Sequence, residues 1–182
     1  MSEPVSAEQR ALQVQAAFER IHREQMAGLP LLNKELAVAT VGFQAIDGRV
    51  AGVVVTPWMM SLLLFPGVAD RWESLALGAK DSFTFPGGIY RFMSNTIDGL
   101  GTMMMYSVHS PMHAFPNQES ALAEASRFVE RAMAPATQTG AEASMVDPVN
   151  EELLGRILRG EHVPEVDAAV AALPATDAPA AA

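Results

Sequence analysis

The sequence predicts an α+β fold: an antiparallel meander of four to five strands, preceded by one helix and followed by two. Three observations carry that expectation. An amphipathic stripe opens the chain, short β-branched and aromatic runs broken by Gly and Pro fill its middle, and helical spacing returns after Asn117. The links between the middle runs are short and carry no helical pattern, which favours antiparallel pairing over βαβ crossovers. At 182 residues, with 49% hydrophobic and 18% charged side chains, the chain is long enough to bury one sizeable core.

Residues 6–27 read as the first helix. Ser6 and Gln9 make a capping box, Ala11, Val14, Phe18 and Ile21 share one stripe, and Gly28 with Pro30 ends it. Val38–Ala45 and Arg49–Thr56 form a hairpin around Asp47-Gly48, a dipeptide suited to a tight turn. Met59–Phe65 fits a buried strand or a helical turn, because every residue but Ser61 is apolar. Phe83–Phe85, Ile89–Asn95 and Thr102–Val108 complete the sheet, with turns at Pro86-Gly87-Gly88 and Asp98-Gly99. Asn117 caps a helix to about Ala134, and Asp147-Pro148 starts another ending at Gly160. Residues 1–160 are expected to form one domain. Residues 161–182, dominated by Ala, Pro, Asp and Thr, are expected to be a disordered tail.

Composition narrows the function. With no cysteine there is no disulfide, thiolate nucleophile, iron–sulfur site or thiolate zinc site. A net charge of −9 argues against nucleic acid, and the chain from Asn117 onward holds eleven acids against four Arg. That acidic third either solubilises the protein or attracts a basic partner segment. The first ten residues lack the basic and apolar regions of a secretory signal, so a cytoplasmic protein is expected. The stretch Val50–Trp72, uncharged between Arg49 and Asp70, is broken by Pro57 and Pro66, which argues against a membrane span.

The search for catalytic chemistry yields little. His109 and His113 are four apart, but Pro111 between them keeps them off a common helical face, so no metal site is expected. Ser107 and Ser110 flank His109, yet strand neighbours point to opposite faces and no nucleophile elbow is present. No phosphate-binding loop exists, and no cofactor is expected. A small hydrolase at Ser107, Ser110 or His109 would need a deep polar pocket there.

Apolar side chains offer more. Trp58 and Met59 emerge from a strand closed by Pro57, where the chain should approach solvent; they form either a core lid or a docking surface. Met59, Met60, Met93, Met103, Met104, Met105 and Met112 all fall in the β-rich middle, where flexible thioethers can fill a core or repack around partners. Alternation sends Met104 to one face and Met103 with Met105 to the other, so a sheet open on one side would expose a greasy patch. Trp58 suits either an interface or the core, and Trp72 is read as a surface residue.

Thr56-Pro57-Trp58-Met59, then Phe65-Pro66-Gly67 with Trp72, Pro86-x-Gly88 with Phe92, Asp98-Gly99, Ser107 and Ser110-Pro111-Met112 together resemble the HybE (HupJ) family of [NiFe]-hydrogenase assembly chaperones. The likeness runs from about Val14 to Met133 and includes Gln15-Ala16-Ala17-Phe18-Glu19. It implies a cytoplasmic, non-enzymatic accessory protein that binds a hydrogenase small or large subunit precursor, including its twin-arginine signal peptide. The precursor would be held until cofactor insertion, before export or subunit joining. Some relatives resemble fusions with a rubredoxin module, for which this sequence has no cysteines. On this reading the partner-binding residues are Trp58, Met59, Phe65, Trp72, Ser110, Pro111 and Met112. The alternative is a maturation factor that handles metal or cofactor, or shields a nascent centre from oxygen, through the Met-rich face with His109 and His113.

Overall fold

The computed structural model describes residues 5–135 and Leu158. Its centre is one six-stranded antiparallel sheet in the order β1-β2-β3-β6-β5-β4. The strands are β1 (Ala39–Ile46), β2 (Arg49–Val55), β3 (Met60–Phe65), β4 (Lys80–Phe85), β5 (Gly88–Ile97) and β6 (Gly101–His109). The α+β class holds, but the single meander is replaced by two, β1-β2-β3 and β4-β5-β6, joined edge to edge by β3 and β6. The physical reason is burial. Met60–Phe65 and Met103–Tyr106 are buried at every position, and pairing them at the sheet centre covers both faces of each.

One helix packs on each face. α1 (Ala7–Ile21) lays Val14, Ala17, Phe18 and Ile21 against Val54, Leu63, Phe65, Met103 and Met105. α2 (Gln118–Met133) lays Ala121, Ala125, Phe128, Val129 and Ala132 against Val53, Val55, Leu62, Leu64, Met104 and Tyr106. Period-two alternation therefore sorts the methionines into two covered cores rather than one open patch. Met103, Met104 and Met105 are all buried.

Local signals explain the ends. The Ser6–Gln9 capping box forms as expected, and Asn117 with Ser120 makes another at the start of α2. Beyond Ile21 the first helix widens into one π-helical turn, His22–Met26. Asp47 and Gly48 both take positive φ, 47° and 76°, the paired left-handed geometry of a type I′ hairpin turn. β4 begins at Lys80, earlier than the Phe83–Phe85 core the sequence marks, because Lys80–Ser82 pair with Arg91–Met93 despite their polarity. The expected helix from Asp147 to Gly160 and the tail lie outside the described residues, except for Leu158. Leu158 is helical and buried, and belongs to the α1-side core.

Candidate partner-binding surface

The residues singled out in the sequence gather at opposite ends of β3. At its start, Thr56 closes the turn from β2. Its Oγ1 accepts hydrogen bonds from the Met59 and Trp58 N–H groups at 2.9 and 3.3 Å, and Thr56 N–H donates to the Met59 carbonyl at 2.9 Å. Ser110 Oγ approaches the Trp58 carbonyl at 3.5 Å. Asn33 stitches this end together, donating through its amide to the Met112 and Phe115 carbonyls at 2.9 and 2.7 Å and through its backbone N–H to the Pro57 carbonyl at 2.8 Å. The Thr-Pro-Trp-Met and Ser-Pro-Met motifs are thus neighbours, far apart in sequence and tied by backbone satisfaction.

The expectation that the large apolar groups here stand free for a partner is not met. Trp58 is 0% exposed, Met59 2% and Met112 0%, and the Trp58 ring lies 6.5 Å from Phe18 and 5.8 Å from His22. The end of α1 and its π turn form the lid. Phe65, at the other end of β3, is 1% exposed beneath the Arg10 guanidinium, which sits 4.5 Å above its ring. Desolvation lowers the Arg10 pKa. Trp72, expected at the surface, is 8% exposed, packed edge-on against Phe83 at 5.6 Å with Arg49 above it. Ser110 is also buried, and Pro111 alone of the seven is exposed.

What the motifs position is the loop 66–79 between β3 and β4. Asp70 anchors it. Its carboxylate takes two hydrogen bonds from Arg49, at 2.7 and 2.6 Å, and a third from the Gly67 N–H at 2.8 Å. The bonds from Arg49 hold the Asp70 carboxyl below its usual range and raise Arg49 in return. Trp72, on a short 3-10 turn (Trp72–Ser74), inserts from the loop into the α2-side core. Between these anchors the loop turns apolar side chains outward: Val68 is 83% exposed, Leu77 52% and Leu75 36%. Of the five large hydrophobic residues exposed among those described, three are in this loop, with Leu12 and Ile89 elsewhere. Sequence reasoning assigned the contact role to the anchoring tryptophan and passed over these aliphatic side chains. Val68, Leu75 and Leu77 between Gly67 and Gly78, in a stretch without β alternation, were the available signal.

Among the described residues the histidines lie apart from any ligand cluster. His109 Nε2 is 3.8 Å from Glu124 Oε1 and its ring meets Phe115 edge-on at 5.2 Å, while His113 faces solvent. Burial pushes the Glu124 carboxyl up, but hydrogen bonds from Arg127 and Arg131 outweigh it and hold the group below its usual value. Among the described residues no group of three or more His, Cys, Asp and Glu could hold a metal ion. No helix among them is long and apolar enough to cross a membrane.

The described residues thus form a six-stranded antiparallel sheet with a helix on each face and three exposed aliphatic side chains on a loop anchored by Asp70 and Trp72. The chain belongs to the family described as "[NiFe]-hydrogenase assembly, chaperone, HybE", whose model matches residues 9–159. It is 36% identical over 107 residues to a protein named probable rubredoxin HupJ from Rhodobacter capsulatus, a match covering 59% of this chain and 38% of that one. It is 32% identical over 120 residues to hydrogenase expression/formation protein HupJ from Bradyrhizobium diazoefficiens, covering 66% and 69%. The fold is similar to the solution structure of HybE from Escherichia coli, with a TM-score of 0.57 and 28% identity over 76% of this chain and 89% of that one. The chain thus spans well under half the length of the Rhodobacter relative.

Proposed function

We propose that this chain is a non-enzymatic assembly chaperone that binds [NiFe]-hydrogenase subunit precursors in the cytoplasm. It holds them until cofactor insertion, before twin-arginine export or subunit joining. Family membership supports the hydrogenase client. The observation that carries the contact site is the concentration of exposed aliphatic residues, Val68, Leu75 and Leu77, on one loop pinned by Trp72 and Asp70. Such side chains gain about 25 cal/mol per Å² of apolar surface when a partner covers them. The tether lowers the entropy lost on binding.

In this reading Trp58, Met59, Phe65, Trp72 and Met112 serve the partner from beneath, by fixing both ends of β3, while Pro111 is exposed at the end of β3 opposite the loop. The acidic C-terminal third adds long-range attraction for a basic signal peptide. The test is co-purification of tagged chain with small- and large-subunit precursors. Val68→Ser with Leu75→Ser and Leu77→Ser should lose capture without loss of thermal stability. Full capture by the triple variant would remove the loop from the account, and failure of the unaltered chain to retain either precursor would remove the client.

A further inference from the structure

We propose that Ser94 is the positioning residue of the contact loop, its buried hydroxyl holding Leu75 and Leu77 in place before a partner arrives; the inference rests on the chaperone reading above. Period-two alternation puts Tyr90, Phe92 and Ser94 on one face of β5. Tyr90 and Phe92 join the α2-side core, and Ser94, opposite Met104, stands where a third apolar side chain would continue it. It is 1% exposed. A hydroxyl buried there costs free energy unless it is hydrogen-bonded. Ser94 spends both its donor and its acceptor on the loop: Oγ donates to the Ala76 carbonyl at 2.7 Å and accepts from the Ala79 N–H at 3.0 Å.

The backbone of the same residue adds to this grip. Its N–H donates to the Ala79 carbonyl at 2.8 Å, and its carbonyl accepts from the Gly78 N–H at 3.0 Å. Everything Ser94 holds belongs to one turn, Ala76–Ala79, closed by the Ala79 N–H on the Ala76 carbonyl at 3.1 Å. Gly78 takes a φ of 78° at the third position, as a type II turn requires. Leu77 lies inside that turn. Leu75 immediately precedes it and is fixed from the other side by its N–H on the Trp72 carbonyl at 3.0 Å. Ser94 does not reach the surface, so its effect on a partner passes through these two leucines. Val68 is held independently, by the bonds between Gly67 and Asp70 at 2.8 and 3.1 Å. A turn fixed beforehand spares the partner the entropy of ordering it.

The test titrates the full chain against immobilised small- and large-subunit precursors and follows amide hydrogen exchange of the free chain. Ser94→Ala should speed exchange at Gly78 and Ala79 about tenfold and leave Leu62–Leu64 unchanged. It should weaken precursor binding about fivefold. Double-mutant cycles separate positioning from general support of the fold. Added to Leu75→Ala with Leu77→Ala, Ser94→Ala should weaken binding no further, whereas added to Val68→Ser its fivefold loss should multiply with that of the serine. A residue that merely stabilised the protein would multiply with both. Unchanged exchange at Gly78 and Ala79, undiminished binding by Ser94→Ala, or a full multiplied loss in the leucine background would each overturn the assignment. If both precursors bind and Ser94→Ala changes nothing, the Ser94 role alone falls. If the unaltered chain binds neither precursor, the client reading falls, and the exchange comparison decides whether Ser94 holds the loop.

Discussion

Replacing Trp58 separates packing from docking. The side chain is 0% exposed and stacks near Phe18 and His22, so Trp58→Ala should destabilise the fold by about 3–5 kcal/mol. The indole Nε1 is buried with no hydrogen-bond partner among the described residues. Removing that orphan donor returns about 1–3 kcal/mol, which places the Ala variant at about 2 kcal/mol, below that range. Trp58→Phe deletes the same donor and keeps a six-membered ring. Its residual cavity of roughly 40 Å³ costs about 1 kcal/mol, and the donor's removal offsets it, so the Phe variant should lie within about 1 kcal/mol of the unaltered protein. Urea unfolding followed by far-UV circular dichroism gives both values, provided the slope with denaturant stays constant. A Phe variant as unstable as the Ala variant would mean that Nε1 has a partner. An Ala variant costing under about 1 kcal/mol would mean that the ring is not packed, and would refute the core assignment.

Three further outcomes follow from specific contacts. Serine at Val68, Leu75 and Leu77 should abolish precursor co-purification while shifting the unfolding midpoint by no more than about 0.5 kcal/mol, since exposed positions contribute little to the fold. Asp70 titrates in the folded state below the 3.8 of a free Asp, so its pairing with Arg49 stabilises fully above that value and is lost as pH falls through the depressed one. Urea midpoints measured through the acid range should therefore fall less steeply for Asp70→Asn than for the unaltered chain. Gly87→Ala should cost about 2 kcal/mol or more in a thermal melt, because a methyl group there would overlap the Arg131 carbonyl oxygen and crowd Ala132 Cα, where Gly87 N–H bonds the Ala132 carbonyl at 2.8 Å.

Local chemistry determined much of the fold in advance. The Ser6–Gln9 cap, the Asp47-Gly48 turn, the amphipathic stripe of α1 and the start of α2 at Asn117 are each set by interactions within a few residues, and each stands where the sequence placed it. The motifs that mark the family were legible for the same reason, since their spacing survives without knowledge of contacts. Strand order was not local. That β6 rather than β4 lies beside β3 depends on which pairing buries Leu62–Leu64 and Met103–Met105 on both faces at once. Exposure followed from that pairing. Trp58 and Trp72 are equally apolar in isolation, and only helices and strands brought from distant parts of the chain turned both inward and left Val68, Leu75 and Leu77 facing water. Identity of a side chain limits what it can do, whereas its availability to a partner is a property of everything packed around it.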